Sequence, residues 1–257
     1  MRTNLSSQIS LNRVSTKYYK PENAVERSVL TRFEKVPTDI YESVDEGVCH
    51  IANQIAGKIQ DRQREGKFFV IGAGTGASLR PLYAELVRKH KDEGLSFRNV
   101  VIFNLYEYYP LAPESAGSSF TQLKDLFVDQ IDIDKQNVFT IDGSIPQEAI
   151  LEYCRLYEQR LQTFGGMDIV LMGIGREGNI AMNEPGSNLN SPTRLILMNA
   201  TSKAEAGHNL GIDNLPPCSI TMGVSTIMGA RKIYLLAWGE NKADIIRNAV
   251  EEKVSDT

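Results

Sequence analysis

Glu177, Asn179, Asn183 and Glu184 put two carboxylates and two amides within eight consecutive residues. Carboxylates can exchange protons, and amides can hold hydroxyl and carbonyl groups in place. All four lie in one stretch, Met172-Gly173-Ile174-Gly175-Arg176-Glu177-Gly178-Asn179-Ile180-Ala181-Met182-Asn183-Glu184-Pro185-Gly186-Ser187. The apolar run just before it, residues 167–171, reads as a buried parallel strand. In an open α/β sheet, ligands bind outside the carboxyl ends of the strands. A Gly-rich turn with solvated polar residues is the plain alternative. The other strand ends must decide between them.

Two of those ends carry suitable residues. Residues 67–71 form a strand that runs into Gly72-Ala73-Gly74-Thr75-Gly76-Ala77-Ser78 and then a helix over 79–91. Strand, Gly-rich turn and helix bring backbone N–H groups and a helix N-terminus to one point, where they can hold a phosphate. The glycine spacing matches neither the dinucleotide fingerprint nor a P-loop. The turn reads as a phosphate or sugar-phosphate cradle, or simply as a tight strand-to-helix connection. The strand over 232–238 ends in Gly239-Glu240-Asn241-Lys242, where another helix starts. A cation gains nothing from the dipole at a helix start. Lys242 is either a surface lysine or the partner of an anion held at 72–78.

Around these loops the chain alternates strands and helices. Further strands are expected at 99–105, 137–140, 194–198 and 219–224, with helices at 120–128 and 148–164. Residues 106–110 read as an aromatic loop and 199–217 as a mobile flap. A helix is expected after Thr38 or Asp39 as cap, with an apolar stripe at Val44, Val48, Ile51, Ile55 and Ile59. The pattern predicts an α/β fold: a Rossmann-like, doubly wound, mainly parallel sheet with helices on both faces. Residues 1–36 read as a polar N-terminal arm, with a helix starting near Pro21, and residues 37–257 as a single domain.

Composition narrows the partners. Hydrophobic residues make up 42% of the 257, enough for a real core. The net charge is −4, with no basic block to follow a nucleic-acid backbone, so a small molecule is the expected ligand. No apolar run approaches the roughly 20 residues of a membrane span, and residues 1–7 lack a signal-peptide core. Three cysteines and three histidines are scattered without metal spacing. A cytoplasmic protein with no metal, no membrane and no nucleic-acid partner is expected.

From about residue 68 to 251 the chain resembles the glucosamine-6-phosphate deaminase (isomerase) family, relatives of the 6-phosphogluconolactonases. The carriers are Gly72-Ala73-Gly74-Thr75-Gly76-Ala77-Ser78, Ser96-Phe97-Arg98-Asn99-Val100-Val101-Ile102-Phe103-Asn104, Asn183-Glu184-Pro185, Thr221-Met222-Gly223-Val224 and Gly239-Glu240-Asn241-Lys242-Ala243. The resemblance implies a Rossmann-like sheet, no cofactor, a sugar 6-phosphate ligand and a homo-oligomer. It implies that Thr75, Gly76, Ser78 and Lys242 hold the phosphate, with His208 near the position of a phosphate-binding arginine. Ser187 and Arg194 match positions of an effector site, although the lysine expected two residues after Arg194 is Ile196. The chain stops before the family's usual last strand, which suggests one domain of a longer, fused protein.

The departures fall on the chemistry. The family's proton-moving Asp stands at Tyr106, just before Glu107-Tyr108. Its ring-opening His stands at Asn179, and a neighbouring Asp at Glu177; Glu184, which orients the His, is kept. An unperturbed tyrosine, with a pKa near ~10, is a poor base at neutral pH, and an amide carries no proton. Glu107 is the nearest substitute base, yet in an extended segment it points away from Tyr106. Three readings stay open. One is an enzyme in which Glu107, Glu177 and Glu184 move the protons. Another is a catalytically inactive domain that binds an amino-sugar phosphate, and the third is a lactonase with a water-activating group in the same loop.

Overall fold

The computed structural model describes residues 23–32, 34–212 and 214–252. The residue proposed to start the first helix, Pro21, lies outside them. Helix α1 (Ala24–Leu30) is capped by the Asn23 side chain, which accepts from the N–H groups of Val25 and Glu26. Helix α2 (Val44–Arg64) starts at Ser43 rather than at Thr38 or Asp39. Ser43 Oγ accepts from Glu46 N, and Glu46 reaches back to Glu42 N, so both ends of the first turn are satisfied locally.

Five strands form the central parallel sheet: β1 (Phe69–Ala73), β2 (Val100–Asn104), β4 (Val138–Phe139), β5 (Ile169–Gly173) and β8 (Lys232–Leu236). Their order is β4-β2-β1-β5-β8. Each central strand is a four- or five-residue apolar run because both its faces are covered. Phe69, Ile71 and Ala73 point to one face, where they meet Ile55 and Ile59 of α2 and Leu82, Tyr83 and Leu86 of α3 (Arg80–Glu93). Val70 points to the other, toward Cys154, Tyr157 and Leu161 of α5 (Ile150–Thr163). Ile55, Ile59, Leu82 and Leu86 are completely buried. Each such side chain stabilises the fold by about 1.5–3 kcal/mol, so packing rather than helix propensity fixes α2 and α3.

The single parallel sheet expected from the alternation is corrected in one respect. Residues 106–110 do not form an aromatic loop. They continue the chain as strand β3 (Tyr106–Tyr109), which leads to α4 (Ser119–Leu126). Strand β3 pairs antiparallel with β7 (Cys218–Thr221), and β7 with β6 (Arg194–Leu197), in a second sheet of order β3-β7-β6. Leu105 is the junction: its N–H donates to Ala73 O in the first sheet, and its carbonyl accepts from Met222 N beside the second. The expected flap is corrected as well. Residues Ala200–Leu210 form helix α6, capped by Asn199 and ended by Gly211 in the left-handed region at φ 65°. Helix α7 (Val224–Met228) connects β7 to β8, and α8 (Ala243–Glu251) follows the 239–242 turn.

Candidate functional site

The loops after β1, β2, β5 and β8 open onto one cavity of about 370 Å³. That lies within the range of small-molecule sites, roughly 300–1,000 Å³. Thr75, Gly76, Ser78 and Lys242 are among the residues that line it. The loop is pinned from behind: Tyr83 Oη donates to Gly74 O at 2.6 Å, and Trp238 Nε1 donates to Ser78 O at 2.8 Å. Its glycines differ in cause. A Cβ on Gly72 would stand 2.5 Å from Met167 Sδ, and one on Gly74 would stand 3.2 Å from Leu171 O. A Cβ on Gly76 would meet nothing within 4 Å, and the Gly76 φ of −57° suits any residue. The protein's own packing therefore gives no reason for glycine at 76; open space for something to approach the backbone does. After it the chain enters a 3-10 turn and then α3, so a helical run, whose first N–H groups lack intrahelical partners, starts directly after the cavity-lining Gly76.

Tyr106 and Asn179 line the cavity as well. Tyr106 Oη shares a hydrogen bond with Thr75 Oγ1 at 2.9 Å, and Thr75 Oγ1 another with Ser119 Oγ at 2.9 Å. Burial pushes the Tyr106 phenol up, the Thr75 and Ser119 hydroxyls oppose this, and nearby Glu107 adds to it. A phenol shifted upward is neutral at pH 7 and acts there as a hydrogen-bond donor. Asn179 folds back onto its own loop. Its Oδ1 lies 1.8 Å from where a Cβ on Gly175 would be, so glycine at 175 makes room for it.

The carboxylates proposed from the sequence lie elsewhere. Glu107 does not line the cavity and is 0% exposed. It accepts from Ser118 Oγ at 2.6 Å, from Tyr108 N and Ser119 N at 2.9 Å, and from Phe120 N at 3.0 Å. Burial pushes its carboxyl up, and these donors pull the other way. It caps the start of α4, where a negative group is favoured. Glu184 and Glu177 also do not line the cavity. Glu184 Oε1 accepts from Asn199 N at 2.8 Å, and Glu177 Oε2 from Asn199 Nδ2 at 2.9 Å. Asn199 in turn caps α6 through Ser202 N. The two carboxylates thus fasten α6 to the loop after β5.

Ser187 and Arg194 meet through that loop. Arg194 Nη2 donates to Ser187 Oγ at 3.3 Å and Nη1 to Asn183 Oδ1 at 2.8 Å, while Asn183 Nδ2 donates to Met222 O. Burial lowers the guanidinium's pKa. Two residues before Asn183, Ala181 is a non-glycine residue at φ 49° on the cavity wall. Such a conformation costs of order 1–3 kcal/mol and persists only where its surroundings impose it.

Helix α6 forms the remaining wall through Ser202, Glu205, Ala206 and Leu210; His208, on the same helix, is exposed and does not line the cavity. Glu205, Arg176, Arg80 and Trp238 are wall residues that sequence reasoning missed. For Glu205 one signal was available. Asn199, three residues before Ser202, is a helix-cap pattern that makes 200–210 a helix and puts Ser202, Glu205 and Ala206 on one face.

The model of the glucosamine-6-phosphate isomerase/6-phosphogluconolactonase family matches residues 42–257. This chain belongs to that family. A glucosamine-6-phosphate deaminase-like protein of Bacteroides thetaiotaomicron is 61% identical over 258 residues, which cover 100% of this chain and 39% of that relative. The chain therefore spans well under half the length of that relative. The glucosamine-6-phosphate deaminase of Bacillus velezensis is 35% identical over 80% of this chain and 85% of its own length. Among solved structures, a monomeric glucosamine-6-phosphate deaminase matches with a TM-score of 0.79 at 31% identity, covering 84% of this chain and 88% of that one. No helix among the described residues is long and apolar enough to cross a membrane.

Proposed function

We propose that the cavity binds a hexosamine 6-phosphate, glucosamine 6-phosphate foremost. Its deaminase turnover is far below that of a site with a carboxylate and an imidazole at the two proton-transfer positions. The phosphate sits at Gly76, Ser78 and Lys242, and the sugar ring extends toward Tyr106 and Asn179. Thr75 contributes through its backbone, since its hydroxyl already serves Tyr106 and Ser119. The observation that carries the reading is the contrast in the cavity lining. The open Gly76 turn and Lys242 line it, whereas Glu107, Glu177 and Glu184 do not. Ring opening and proton transfer between neighbouring carbons each need a group that takes up and returns a proton. Tyr106 can donate a hydrogen bond to a sugar oxygen, and Asn179 can orient one, without exchanging protons at neutral pH.

In this proposal the protein works in the cytoplasm on amino sugars, uses no cofactor and self-associates. Ser187 and Arg194 serve chiefly to hold the loop after β5. The test is ammonia release from glucosamine 6-phosphate by the wild type and by the double variant Tyr106→Asp, Asn179→His. Gain of turnover in the double variant alone is the expected result. Wild-type turnover at an ordinary rate, about 1–10³ s⁻¹, would refute the proposal.

A further inference from the structure

Glu205 stands where the anion is expected. Its Oε1 lies 3.4 Å from Lys242 Nζ and 3.8 Å from Arg176 Nε, and its Oε2 lies 3.5 Å from Arg176 N. Lys242 and Glu205 side chains are only 13% and 23% exposed. Among the described residues lining the cavity, Glu205 is the only carboxylate, beside the cations Arg80, Arg176 and Lys242, and it meets the last two. Its two oxygens thus take up donors that two oxygens of a bound phosphate would use. A desolvated lysine without a partner is costly, which gives the contact a role while the cavity is empty.

We propose that Glu205 is a specificity-determining residue: a resident competitor that only a doubly charged phosphate displaces from Lys242. This rests on the phosphate end assigned above. A phosphate monoester carries about −1.5 to −2 charges at pH 7 and offers three acceptor oxygens, more than one carboxylate can match. A ligand with a single negative charge at the same carbon meets an even exchange with Glu205 and gains little. The contact therefore lowers affinity for every anion while separating sugar phosphates from sugar acids. Helix α6, fastened through Asn199, holds the competitor in place.

The experiment compares wild type, Glu205→Gln and Glu205→Ala by titration with glucosamine 6-phosphate and with glucuronate, which carries one carboxylate at the sixth carbon. Trp238 is the only tryptophan in the chain and lines the cavity, so its fluorescence reports binding, with calorimetry as a second readout. Both variants should bind glucosamine 6-phosphate about tenfold more tightly or better, the scale of one charged hydrogen bond. Both should also acquire glucuronate binding that the wild type lacks. Wild-type binding that the variants leave unchanged or weaken overturns the inference but leaves the phosphate site standing. Tighter phosphate binding without any glucuronate binding overturns the selectivity. Absence of glucosamine 6-phosphate binding in all three proteins overturns the phosphate site itself, and the inference with it.

Discussion

Two sets of cavity-lining residues are built by different means. The set at 74–78 and 242 relies on backbone: an open glycine, a helical start, and a loop pinned by the buried Tyr83 and by Trp238 on the cavity wall. The pair Tyr106 and Asn179 relies on side-chain identity. One substitution can remove a proton carrier, whereas no single side chain supplies the backbone cradle. The carboxylates proposed from the sequence cap helices instead, Glu107 directly at α4 and Glu184 and Glu177 through Asn199 at α6.

The largest change is expected from restoring proton carriers at 106 and 179. Tyr106→Asp with Asn179→His should raise ammonia release from glucosamine 6-phosphate by about 10²-fold or more, given roughly 10²–10⁴ for each acid–base group. The gains need not multiply, because groups that act as a unit are not additive. No gain would mean that more than these two side chains separates the site from catalysis.

Changes at Lys242 and Gly76 should have smaller effects. Lys242→Ala should weaken glucosamine 6-phosphate binding by roughly 1.5–3 kcal/mol, the range for hydrogen bonds to charged groups, as read by calorimetry. Gly76→Ala should leave the melting temperature unchanged or slightly raised, because the backbone tolerates alanine and the unfolded chain loses freedom. The same variant should bind the phosphate more weakly, because its methyl group projects into the empty space. A Gly76→Ala protein with full affinity would remove the phosphate from that turn.

The smallest expected effect concerns the link between α6 and the loop after β5. Asn199→Ala removes the cap of α6 and the partner of Glu177, and should cost about 1 kcal/mol of stability in a denaturant titration. The Asn199 N–H that Glu184 accepts survives this change. An unchanged midpoint would show that α6 does not depend on its cap.

What the sequence made legible follows from range. The parallel strands announced themselves because each is a short apolar run ending in glycines or polar residues. Gly76 and Lys242 could be placed on one rim because strand ends of a parallel sheet share a side. The antiparallel sheet was not legible. Tyr106–Tyr109 pairs with Cys218–Thr221, more than a hundred residues away, and nothing local distinguishes that strand from an aromatic loop. Helix α6 was hidden by its polar composition and by Gly207 and Gly211, although Asn199 marked its start. The alternation of an extended chain did indicate that Glu107 turns away from Tyr106, and the buried cap of α4 is where it goes.

Binding without efficient turnover can be read in one experiment: calorimetric titration of the wild-type protein with glucosamine 6-phosphate, with ammonia measured in the same samples. The expected result is a saturable binding isotherm and ammonia release far below the ordinary enzymic range of about 1–10³ s⁻¹. Release within that range, or no binding at all, would contradict it.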